Sequence, residues 1–76
     1  MRYAIVIEKA ERNYSAYIPD LPGCTTTGRT VQEVLANMRQ AALGHLEVMA
    51  DVGEPTPNPD TLVDYIDVQV PELATK

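Results

Sequence analysis

With 76 residues and a formal net charge of −5, the chain has room for one domain, residues 1–76, and no second one. Its six basic residues, Arg2, Lys9, Arg12, Arg29, Arg39 and Lys76, are scattered, which argues against direct nucleic-acid binding because phosphate contacts need clustered cations. The single cysteine excludes an intrachain disulfide, and the apolar run from Tyr3 to Ile7 is too short for a signal peptide or a bilayer span, so the expectation is a cytoplasmic protein without a membrane partner.

A chain this short buries only about 60% of the surface that it exposes when unfolded, and small cores of this kind lean on a metal, a disulfide or a second subunit. Cys24 and His45 are just two soft ligands, far apart in sequence, so neither metal nor cofactor is expected. Self-association, as a dimer or tetramer, is the remaining route. An acidic surface serves solubility, and it also steers a basic protein partner by long-range attraction.

Taken in order, Arg2 to Glu8 reads as a strand, with Tyr3, Ile5 and Ile7 on one face and Ala4, Val6 and Glu8 on the other. Lys9 to Asn13 is a polar connection, and Tyr14 to Ile18 resumes the alternation, which predicts an antiparallel hairpin. Pro19, Asp20, Leu21, Pro22 and Gly23 form a tight turn, since each proline fixes φ and lacks an N–H while the glycine supplies positive φ. Cys24 to Thr27 is a short third strand.

Thr30 to Gly53 is the one segment with apolar residues at helical spacing over several turns. Val31, Val34, Leu35, Met38, Ala41, Ala42, Leu46 and Met49 form a stripe. Thr30 and Glu33 make a capping box at its start, and Gly53 closes it. Glu54 to Asp60, with prolines at 55, 57 and 59, is a stiff extended connector. Thr61 to Val70 reads as a fourth strand, interrupted by Asp64 and stopped by Pro71, and Glu72 to Lys76 as a short polar tail. The expected class is α+β, in the order β-β-β-α-β: a small, mostly antiparallel sheet with one long helix on one face. That helix would make a right-handed crossover if the third and fourth strands lay parallel.

A three-stranded meander followed by a helix and a strand is the opening of an RNase H-like fold, so a metal-dependent ribonuclease must be weighed. Two-metal hydrolysis needs carboxylates converging on a site about 4 Å wide. Here the middle of the first strand is Ala4, Ile5 and Val6, while Glu8, Asp20, Glu33, Asp64 and Asp67 are dispersed. Cys24 has His45 as its sole possible base and no third orienting group, so it reads as a small, semi-buried thiol. No residues are assigned to catalysis. The four tyrosines, Tyr3, Tyr14, Tyr17 and Tyr65, all fall on expected strands and suit either a core or an interface.

Tyr17, the run Pro19-Asp20-Leu21-Pro22-Gly23-Cys24, then Thr27, Gly28, Thr30, Glu33, Asn37 and Ala42 together resemble the N-terminal domain of the HicB-like antitoxins, from Tyr3 to Val70. The resemblance implies a partial RNase H-like fold without nuclease activity. It also implies binding and masking of a HicA-type toxin, a small basic mRNA-cleaving ribonuclease. Asp20, Leu21 and Glu8 are then the expected partner-binding residues, with Pro22, Gly23 and Cys24 shaping the turn. Many such antitoxins continue into an operator-binding domain, for which this sequence has no counterpart before Lys76, and Arg29 stands where relatives often carry an acid. The alternative function is a stand-alone, self-assembling structural or ligand-binding protein.

Overall fold

The computed structural model describes residues 1–72. Three short strands, β1 (Val6–Lys9), β2 (Tyr14–Tyr17) and β3 (Thr25–Gly28), precede one long helix, α1 (Val31–Asp51). The strands form an antiparallel meander in the order β1-β2-β3. Val6 pairs with Tyr17 and Glu8 with Ser15, while Tyr17 pairs with Thr25 and Ser15 with Thr27.

β1 is shorter than the alternation of Arg2 to Glu8 suggests, for a reason visible in the register. Continuing the β1–β2 ladder below Val6–Tyr17 would bring Ala4 opposite Pro19, which has no N–H to give and already belongs to the turn. That turn is two consecutive reversals. The Leu21 N–H donates to the Ile18 carbonyl at 3.0 Å and the Cys24 N–H to the Leu21 carbonyl at 3.0 Å. Pro19 and Pro22 each occupy the second position of their reversal. Gly23 follows Pro22 with φ of 85°, the left-handed conformation a type II turn requires at that place.

Side chains alternate across the sheet, so Ala16, Cys24 and Ile7 face the helix. With Ile18, Leu21, Val34 and Met38, the first two belong to the buried core, and Ile5, Ile7, Leu35, Ala42 and Leu46 pack around it. Val31, expected on the apolar stripe, is 43% exposed because it lies in the first turn, beyond the sheet's cover. Gly28 lets the helix start close to β3: an added Cβ there would stand 2.7 Å from the Val34 backbone nitrogen.

Both helix ends form as their residues dictate. The Thr30 Oγ1 accepts from the Glu33 N–H at 3.0 Å, and the Glu33 carboxylate accepts in return from the Arg29 N–H at 2.6 Å, one residue earlier than in a standard capping box. At the other end Gly53, with φ of 78°, donates to Ala50, and Glu54 donates to Met49, which is a Schellman closure.

The expected fourth strand is not formed, and with it goes the expected crossover. Among the described residues, 61–70 pair with no strand, and from Leu62 to Glu72 every residue is exposed. The proline-rich residues 54–60 join no helix or strand, the chain bends at their end, where the Asp60 N–H donates to the Asn58 carbonyl at 2.9 Å, and the segment beyond Thr61 leads away from the body as an arm. The radius of gyration is 16.4 Å, where a compact chain of this length has about 11 Å. Beyond Glu72, the expected polar tail lies outside the described residues.

Candidate partner-binding surface

The helix covers one face of the sheet and leaves the other bare. The pleat places Val6 and Glu8 of β1, Ser15 and Tyr17 of β2, and Thr25 and Thr27 of β3 on that outer face. Tyr17 is 42% exposed at the centre of one row, between Val6 and Thr25, and Glu8, Ser15 and Thr27 make the polar row beside it. An aromatic flanked by apolar and hydroxyl groups, with a carboxylate at the margin, has the make-up of a protein-binding patch.

The three residues expected to contact a partner are not brought together. Glu8 is exposed on the outer face near the β1–β2 hairpin. Asp20 lies in the turn at the opposite end, five residues past Glu8's partner Ser15, which is roughly 15 Å along an extended chain. Leu21 is corrected outright: it is fully buried, because the double reversal directs it under the helix, and it serves the core.

Asp20 is occupied within the chain. Its carboxylate accepts from the Thr61 N–H at 3.0 Å and from the Thr61 hydroxyl at 2.8 Å, tying the root of the arm to the turn. A second tie is the Tyr3 hydroxyl, which donates to the Pro57 carbonyl at 2.6 Å. Pro22 and Gly23 stay exposed, consistent with a conformational role in the turn, whereas Cys24 is buried.

Burial pushes the Cys24 thiol above its ordinary pKa of 9.0, and the thiol contacts the Met38 sulfur at 3.7 Å. A protonated thiol packed in a core is a poor nucleophile. His45 lines an open groove of roughly 710 Å³ between the turn and the distal half of α1, where its neighbours are largely apolar. Among the described residues, no three His, Cys, Asp or Glu side chains gather closely enough to hold a metal ion. No helix among them is long and apolar enough to cross a membrane.

Charge is segregated along the chain. From Glu47 onward there are seven carboxylates and one lysine, against four carboxylates and five cations before it. The outer-face patch and this division escape a reading by composition, though the period-two pleat would have grouped Glu8 with Tyr17 once the register was known.

Comparison with known proteins adds the family context. Residues 3–74 match the family model described as the HicB-like antitoxin of a bacterial toxin–antitoxin system. A UPF0150 protein of Archaeoglobus fulgidus is 36% identical over 76 residues, covering 99% of both chains. An uncharacterised 14.9 kDa protein from the rep–hol intergenic region of Haemophilus phage HP1 is 36% identical over 66 residues, and the match spans half of that protein's length. A UPF0150 protein of Thermoplasma acidophilum is 36% identical over 58 residues, covering 75% of this chain and 84% of the relative. No solved structure matches significantly.

Proposed function

The chain belongs to the HicB-like antitoxin family of bacterial toxin–antitoxin systems, and we propose that it acts by stoichiometric binding, covering the RNA-binding or catalytic face of a HicA-like basic ribonuclease in the cytoplasm. It breaks no bonds itself. The observation that carries this reading is the bare outer face of the sheet, where Tyr17 and Val6 offer apolar contact and Glu8 offers charge to a cationic partner. The net charge of −5 supplies the longer-range attraction.

The test is co-expression with the product of the adjacent reading frame. The expected result is a complex that co-purifies and in which RNA cleavage by the partner is suppressed. Glu8→Lys and Tyr17→Ala on the exposed face should weaken the complex at least tenfold while leaving the circular dichroism of the free chain unchanged. A neighbouring gene that encodes no basic protein, or a partner that cleaves RNA equally well with this chain bound, would end the proposal.

A second reading, self-association into a dimer or tetramer, is favoured by the exposed apolar arm. Leu62 is 92% exposed, Ile66 85% and Val70 81%.

A further inference from the structure

The arm and the outer edge of β1 each lack a partner strand among the described residues. Residues 62–70 alternate in the manner of a strand, with Leu62, Ile66, Val68 and Val70 on one side, yet they pair with no strand among the described residues. Beside them, residues 3–5 are half-buried and precede β1, but among the described residues they make no backbone–backbone hydrogen bond outside the strand ladders. An unpaired run of backbone at a sheet edge is a template for a partner strand. The two segments flank a cleft of roughly 730 Å³, walled by Arg2 to Ile5 on one side and by Pro59 and Thr61 to Val63 on the other, with Leu35 and Arg39 of α1 as its floor.

We propose that two copies of this chain exchange their arms, the residue 62–70 segment of each lying in the other's cleft and extending its sheet beyond β1. This rests on self-association but not on the presence of a toxin. The arm cannot readily fold back onto its own body, because its root is held at Thr61 by Asp20 and at Pro57 by Tyr3, and the proline-rich connector is stiff. The chain consequently spans 58 Å in its longest dimension. A second copy presents a cleft of matching chemistry. Arg2 and Arg39 line it, while the arm carries Asp64 and Asp67. Leu35 and Ile5 offer apolar contact to the arm's Leu62–Val70 face. The exchange is reciprocal, so one two-fold axis satisfies both edges and both arms, giving a closed assembly. It uses the sheet's edge and leaves the outer face with Glu8 and Tyr17 free.

The test combines sedimentation of the full chain over a hundredfold concentration range with amide hydrogen exchange. The expected result is a dimer in which amides of residues 62–70 and 3–5 are protected at least a hundredfold. Ile66→Asp and Val68→Asp, at positions exposed in the single chain, should yield a folded monomer with both segments unprotected. A monomer at the highest concentration would sink self-association altogether. An assembly whose arm amides exchange freely, or one unaffected by Ile66→Asp, would leave self-association standing and overturn the exchange. A monomer with protected arm amides would show the arm docking on its own chain and would overturn it as well.

Discussion

Asp20 holds Thr61 through both carboxylate oxygens across 41 positions of sequence, one bond to the backbone N–H and one to the hydroxyl. The pair joins the β2–β3 turn to the point where the chain leaves the body. Replacing Asp20 with Ala should cost about 1–2 kcal/mol, the worth of two partly exposed hydrogen bonds to a charged group. Asp20→Asn should lose less, since its amide oxygen still accepts from the N–H and its amino group donates to the hydroxyl. Urea denaturation measures the cost, and exchange at the Thr61 amide should accelerate in the alanine variant before any global change.

Two glycines should respond to alanine with opposite signs. At Gly28 the new methyl meets the Val34 backbone, so the helix start must shift, at a cost of about 1–3 kcal/mol. Gly44 sits within α1 with nothing inside 4 Å of an added Cβ, and Gly44→Ala should gain about 0.5–1 kcal/mol from helix propensity. Thermal unfolding should register that gain as a rise of several degrees in Tm.

Thr30→Ala removes the side-chain acceptor for the Glu33 N–H and should destabilise the chain by about 1 kcal/mol. Thr30→Ser should retain nearly all of it. Denaturant midpoints at fixed m-value separate the two.

Burial raises the Cys24 pKa in the folded chain, so ionisation of this thiol favours the unfolded state. Its contribution is fully present below the unfolded pKa and falls away as pH rises above about 9, through the folded value. Stability measured from pH 7 to 10.5 should therefore decline at the alkaline end, and Cys24→Ala should flatten that part of the profile. In the native chain at pH 8, a thiol-specific disulfide reagent should react with Cys24 at the rate of unfolding.

Much of this architecture could be read from local chemistry. Thr30 with Glu33, the stripe through Val34 and Met38, and Gly53 place the helix to within two residues, because each signal acts within a turn or two of chain. Pro19, Pro22 and Gly23 likewise specify their turn. The arm departs from the expected fourth strand for a physical reason: alternation at Leu62, Ile66, Val68 and Val70 reports a propensity for pairing and says nothing about which strand will be the neighbour. Leu21 differs from its expected place likewise, since nothing local in a loop leucine shows that the turn packs it with Val34 and Met38. The Asp20–Thr61 tie joins residues far apart in sequence, and neither carries a local mark of the other.

The mismatch between helix and sheet has a dynamic consequence. Twenty-one helical residues reach about 32 Å, whereas a four-residue strand reaches about 13 Å, so the distal turns of α1 overhang the meander. Along the apolar stripe Val34 and Met38 are sealed, whereas Leu46 and Met49 farther on are only half-buried. Amides of the last turns should therefore exchange sooner than those of the first three, held back by the half-buried Leu46 and the Gly53 closure. The groove beside His45 lies along this less firmly anchored end of the helix.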